Sequence, residues 1–215
     1  MAASHLRFIH ARVNGTDNFR HDLQTPTRRF CKRRYGDSDP HVYKLTRFQP
    51  FTDYRRADGT RAMAAYRYGI RRKRIAKPSD SYQSLYNVID ARHSSTSGDI
   101  LSARLAALLD PYGFGVYVAV NHIVGNGDSY GSSGATSNNA MFYLSLTKRG
   151  RAHLVDLDNA YRGGSPAGPL FGQGDIVSIL YNSITRFRRA YWRVLKNLMD
   201  GPLRAEAYTP ELLGW

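Results

Sequence analysis

Apolar residues run almost without interruption from Gly115 to Val124 (GVYVAVNHIV). The length and β-branched content of this run predict a strand buried on both faces, the centre of a sheet. Shorter stretches around it mix apolar, aromatic and basic residues. Val42 to Phe48 and Ala62 to Ile70 are predicted strands of a hairpin turning at Asp58-Gly59. Tyr82 to Ile89 is a further short strand, and Met141 to Thr147 with Ala152 to Leu157 form a second hairpin around Lys148-Arg149-Gly150. Two segments carry the helical period instead. Ile100, Leu101, Leu105, Leu108 and Leu109 make a stripe that Ser97 or Asp99 can cap and Pro111 stops. A longer stripe holds Ile176, Leu180, Ile184, Phe187, Tyr191, Val194, Leu195 and Leu198, capped by Asp175 and stopped at Gly201-Pro202. Residues 1 to about 40 are polar, basic and turn-forming, as at Asn14-Gly15, and read as an extended arm with at most one short helix. The predicted architecture is α+β: a mostly antiparallel sheet with two packed helices and an extended basic N-terminal arm. Residues 1–41 form the arm and residues 42–215 a single α+β core domain.

Charge changes this picture by its position. The formal net charge is +14, and 19 of the 31 Lys and Arg lie in the first 77 residues against 6 Asp, leaving 12 basic and 11 acidic residues afterwards. Arg28, Arg29, Lys32, Arg33 and Arg34 form one dense cluster, and Arg71, Arg72, Lys73 and Arg74 the other. Guanidinium forks suit phosphates, carboxylates and aromatic faces. Phe8, Phe19, Phe30, Tyr35, Tyr43, Phe48, Phe51, Tyr54, Tyr66 and Tyr68 interleave with these cations, so part of the arm is expected to dock on another surface. The single Cys31 excludes an intramolecular disulfide, and no Cys/His set has zinc-ligand spacing. No metal and no cofactor is therefore expected. The N-terminus lacks the apolar stretch of a secretory signal, and no run is long enough to span a membrane. The expected location is intracellular, in a virion or viral inclusion.

Several local patterns carry candidate chemistry. Val42-Tyr43-Lys44-Leu45-Thr46-Arg47, followed by Ser95-Thr96-Ser97 ahead of a helix and then by a strand, resembles the ADP-ribosyltransferase toxins over about residues 42 to 158. The resemblance implies that Arg47 and the Ser-Thr-Ser run hold NAD. That family completes its site with a Glu, whereas no Glu precedes Glu206 here, and Asp156 and Asp158 stand near where it would fall. His93, His122 and His153 could serve a metal-independent basic ribonuclease. The loop Gly125-Asn126-Gly127-Asp128-Ser129-Tyr130-Gly131 has the glycines of a phosphate cradle but no helix start after it, and reads as a surface or inter-subunit loop. Fifteen tyrosines, with the arginines, suit protein interfaces and an alkali-labile lattice such as a viral occlusion-body matrix.

With no complete catalytic set, these features point away from an enzyme. The expectation is a self-assembling, coat-like or nucleocapsid-like viral structural protein. Its two basic clusters would contact nucleic acid, without sequence specificity, or neighbouring subunits of a homo-oligomer or lattice. The alternatives are the occlusion-body matrix protein, the transferase and the ribonuclease. No membrane partner is expected.

Overall fold

The structure is a computed structural model that describes residues 6–13, 16–23, 27–45, 51–74, 82–94, 98–127, 129–131, 140–154, 180–181, 184–204 and 206–207, the side chains of 6–23, 67–74 and 154 excepted. Strands β1 (Leu6–Val13) and β2 (Thr16–Leu23) pair antiparallel from Leu6↔Leu23 to Val13↔Thr16. That register leaves the two residues Asn14-Gly15 as the connection, the sequence a tight hairpin favours. Part of the expected arm is thus a hairpin. Helix α1 (Arg28–Tyr35) follows; the Thr27 side chain accepts a hydrogen bond from the Phe30 N–H, and Gly36 ends the helix at φ 65°.

The main sheet is antiparallel throughout, with the order β4-β3-β5-β6. Its members are β3 (His41–Leu45), β4 (Ile70–Arg74), β5 (Ala140–Leu144) and β6 (Arg151–Leu154). Alternation along the strands divides two faces. Tyr43, Leu45, Ala140, Phe142 and Leu144 enter the main core, while Val42, Met141 and Tyr143 pack with Phe30 and Cys31 of α1. The α+β architecture with a mostly antiparallel sheet therefore holds.

Helices α2 (Met63–Gly69), α3 (Gln83–His93), α4 (Gly98–Leu108), α5 (Pro111–Ile123) and α6 (Thr185–Met199) complete the described elements. They correct the expectation of two helices and several strand assignments. The predicted central strand Gly115 to Val124 lies in α5. Asp110 caps it by accepting from the Tyr112 N–H at 3.1 Å, Pro111 occupies its first turn, and Phe114, Tyr117, Val118 and Asn121 are buried at helical spacing. A continuous apolar run fits a buried helix as well as a buried strand, and the cap decides between them. Tyr82 to Ile89 is largely helical too, since Leu85, Val88 and Ile89 share the buried side of α3. Ala62 to Ile70 is mostly α2, with β4 beginning only at Ile70. The C-terminal helix begins at Thr185, because Ile184 is extended (φ −106°, ψ 106°); Asp175 and Ile176 lie outside the described residues. Its stripe of Phe187, Tyr191 and Val194 is buried as expected. Gly115 lets α5 approach α6 closely, its added Cβ meeting Tyr191 Cα at 3.4 Å.

Candidate functional site

The loop that leaves α5 is fastened by a buried amide pair. Asn126 donates from Nδ2 to Asn121 Oδ1 at 2.9 Å and from its backbone N–H to the Asn121 carbonyl at 2.9 Å, while Asn121 Nδ2 donates to the Tyr117 carbonyl at 3.0 Å. Ser129 Oγ returns a bond to the Asn126 carbonyl at 3.0 Å. Asn121, Asn126, Ser129 and Tyr130 are all buried, so the expected surface loop turns inward. Tyr130 docks it on the sheet, edge to face with Phe142 at 5.3 Å. Burial drives the Tyr117 hydroxyl well above its ordinary range, keeping it neutral beneath this network. Gly125 (φ 60°) and Gly131 (φ 87°) supply the left-handed turns on either side. Asp128 sits in sequence between the buried Asn126 and Ser129 and lies outside the described residues.

The hairpin of β5 and β6 follows this loop in the chain. Ala140 pairs with Leu154 and Met141 with His153, so the chain enters β5 and leaves β6 at one end of the hairpin. Asn138-Asn139 precede the first strand there, and Val155-Asp156-Leu157-Asp158 follow the second; both segments lie outside the described residues. Half-buried Lys44 lies close to the same end, paired with Met141 on one side and Arg71 on the other. The far end is clasped to the helices. Gly150 donates its N–H to the Leu108 carbonyl at 2.7 Å and accepts from the Asp110 N–H at 2.8 Å, and Arg151 pairs with Asp110 at 2.9 Å.

On the opposite sheet face α1 is bolted to the same hairpin. Tyr35 stacks on Tyr143 at 4.6 Å, and its hydroxyl is hydrogen-bonded to His153 Nε2 at 3.1 Å. Burial, with Arg151 nearby, lowers His153 from 6.5 to about 4, leaving the imidazole neutral. Tyr143 donates to Asp37 at 2.7 Å. Burial alone would raise the Asp37 carboxyl, but hydrogen bonds from Tyr143, Ser145 and the Asp39 N–H overcome it and hold it below its ordinary value.

The residues singled out from sequence fall in separate places. Arg28, Arg29, Lys32, Arg33 and Arg34 are exposed on α1, while Arg71, Arg72, Lys73 and Arg74 belong to the edge strand β4. Arg47 and Ser95-Thr96-Ser97 lie outside the described residues. The strand expected after them is α5, which removes the element order behind the transferase resemblance. The three histidines do not share a site: His93 is hydrogen-bonded to the Phe51 carbonyl, His122 is exposed on α5, and His153 is buried against Tyr35. His41 and Ser84 meet at 2.7 Å with Tyr43 beside them, a buried cross-link between β3 and α3.

The fold is α+β, with a capped helix, an amide-clasped loop after it and an antiparallel hairpin further along the chain. The chain belongs to the CotH kinase protein family, whose model matches residues 1–212. No curated protein and no solved structure gives a significant match. Membership corrects the functional expectation: the family is described as a kinase protein, not as a viral coat, nucleocapsid or occlusion-body protein, an ADP-ribosyltransferase or a ribonuclease. The viral setting and the nucleic-acid role fall with it. The local excess of arginine shows where charge lies, and charge specifies no reaction. No helix among the described residues is long and apolar enough to cross a membrane. The carboxylates Asp128, Asp156 and Asp158 were not grouped together from sequence. Their signal was an Asn-Gly-Asp loop followed by a hairpin and Asp-x-Asp, once the apolar run before the loop is taken as a helix.

Proposed function

We propose that this chain is a phosphotransferase that moves the γ-phosphate of a nucleoside triphosphate to a hydroxyl of a protein substrate. The observation that supports the reading is the Ala140↔Leu154 register, which pairs the residue after Asn139 with the residue before Val155. Protein kinases use the same order along the chain, a catalytic-loop Asp followed by a metal-holding Asp. The family description supports the same reading. The donor set is carboxylate oxygen, with Asn139 adding an amide oxygen, and it contains no thiolate or imidazole. Such donors fit Mg²⁺.

In this reading Asp156, Asp158 and Asn139 would hold Mg²⁺, which neutralises charge on the phosphates when bound. Asp128 orients the acceptor hydroxyl and takes its proton as that oxygen bonds to the γ-phosphorus. The bond to the bridging oxygen breaks, and the nucleoside diphosphate leaves with the electron pair. The Asn121–Asn126 clasp positions Asp128, since small displacements of a catalytic group are costly.

Nucleotide binding tests the arrangement. ATP with Mg²⁺ at about 100 times its Kd should stabilise the native chain against thermal unfolding by about 3 kcal/mol. Asp158→Asn should lose most of this gain, whereas Asp128→Asn should keep it. No stabilisation in the native chain, or equal stabilisation in all variants, contradicts the assignment.

A further inference from the structure

The outer side of α1 is exposed, and Arg28 makes only a local bond there, donating from Nε to the Ser38 carbonyl at 2.8 Å. Arg28, Arg29, Lys32 and Arg33 recur at helical spacing opposite buried Phe30 and Cys31, and they form no ion pair with any described residue. Helix stability does not account for them all. Lys32 and Arg33 lie in the last turn, where the macrodipole favours cations, but Arg28 and Arg29 lie in the first turn, where it opposes them, and no acidic residue offsets them there.

We infer that the basic face of α1 is a docking site for an acidic segment of the protein substrate. This rests on the kinase reading and supplies its substrate class. Guanidinium forks pair with carboxylates in a bidentate way, and four cations on two turns match a run of acidic side chains. The chemistry of the surface separates this partner from two others. Binding of single-stranded nucleic acid relies on exposed aromatic platforms, yet Phe30 is buried and Tyr35 is stacked on Tyr143. A membrane-surface helix needs an exposed apolar side, and the apolar residues of α1 face the sheet. The helix is also joined to the reacting region. Tyr35 bonds to His153, one pair away from the end of the hairpin that leads to Asp156. A chain docked on α1 therefore lies on an element fixed to the hairpin that precedes Asp156 in sequence.

The test uses the full chain and a fluorescent serine-containing peptide that carries a run of glutamates, with a matched glutamine peptide as control. The glutamate peptide should bind at least about 10-fold more tightly, and the preference should weaken as salt rises. Arg28→Gln, Arg29→Gln, Lys32→Gln and Arg33→Gln together should abolish the preference. The all-lysine version of the three arginines should retain it, which separates charge from loss of folding. In phosphoryl-transfer assays the glutamine variant should raise KM for the glutamate peptide with kcat little changed. Equal binding of the two peptides, or an unchanged glutamine variant, overturns the docking site. So does tighter binding of a single-stranded oligonucleotide or of phosphatidylserine vesicles that the same substitutions remove. Selective peptide binding without any transfer by the native chain would instead refute the kinase reading and leave the acidic-segment site standing.

Discussion

Asn126 shows how much one side chain can settle in this protein. Its amide and its backbone N–H both close on Asn121, so Asn126→Ala leaves the buried Asn121 oxygen without its side-chain donor. The expected cost is about 1–3 kcal/mol in urea unfolding, with a larger proportional loss of phosphoryl transfer than of nucleotide binding. An unchanged urea midpoint would contradict the clasp. His153 makes a prediction in pH. Its folded value of about 4 lies below the ordinary 6.5, so between those values the unfolded chain binds the additional proton. Stability should therefore fall as the pH drops through that window, by about 2 kcal/mol between pH 7 and 5, and His153→Gln should flatten the dependence. Asp37 acts in a lower window, because its carboxyl is held below 3.8 and its contribution is lost only as the pH falls further. Cys31 is buried, and burial together with the Asp37 charge pushes its thiol up to about 12. It should resist thiol reagents at neutral pH until the chain unfolds; rapid labelling of the native protein would contradict the packing of α1.

At the scale of elements, the junction of β5–β6 with α4–α5 rests on Gly150. A Cβ there would lie 2.6 Å from Leu144 Cδ2 and 3.0 Å from the Tyr143 carbonyl, so Gly150→Ala should destabilise by about 1–3 kcal/mol. A melting temperature equal to that of the native chain would show that the clasp yields. The same region explains which elements could be read from sequence. Strands β3, β5 and β6 announced themselves because alternating residues meet two different layers. Helix α4 announced itself through its leucine stripe. Helix α5 did not, because it is surrounded by core, and an element apolar on nearly every side loses the periodicity that separates helix from strand. That one misreading hid the proposed site: with Gly115–Val124 taken as a strand, the glycine loop followed a strand and led nowhere. With α5 in place, the same loop connects a capped helix to a hairpin.

For the molecule as a whole, the basic third divides into parts with different structural roles. One cluster lines a docked helix, the other lies in the edge strand β4, and the aromatics among them mostly build the core, as with Tyr43, Phe51 and Tyr66. Composition located that surface but carried no information on the reaction, which the kinase proposal assigns to Asp128, Asp156 and Asp158. Asp156 and Asp158 were visible in sequence as carboxylates near a site, and only the helix, loop and hairpin order connects them with Asp128. The direct test is transfer of labelled γ-phosphate from ATP with Mg²⁺ to a serine-containing protein acceptor, comparing the native chain with Asp128→Asn. The account predicts transfer by the native chain and a loss of at least about 100-fold in the variant, which still binds ATP. No transfer by the native chain, or equal transfer by both, would contradict it.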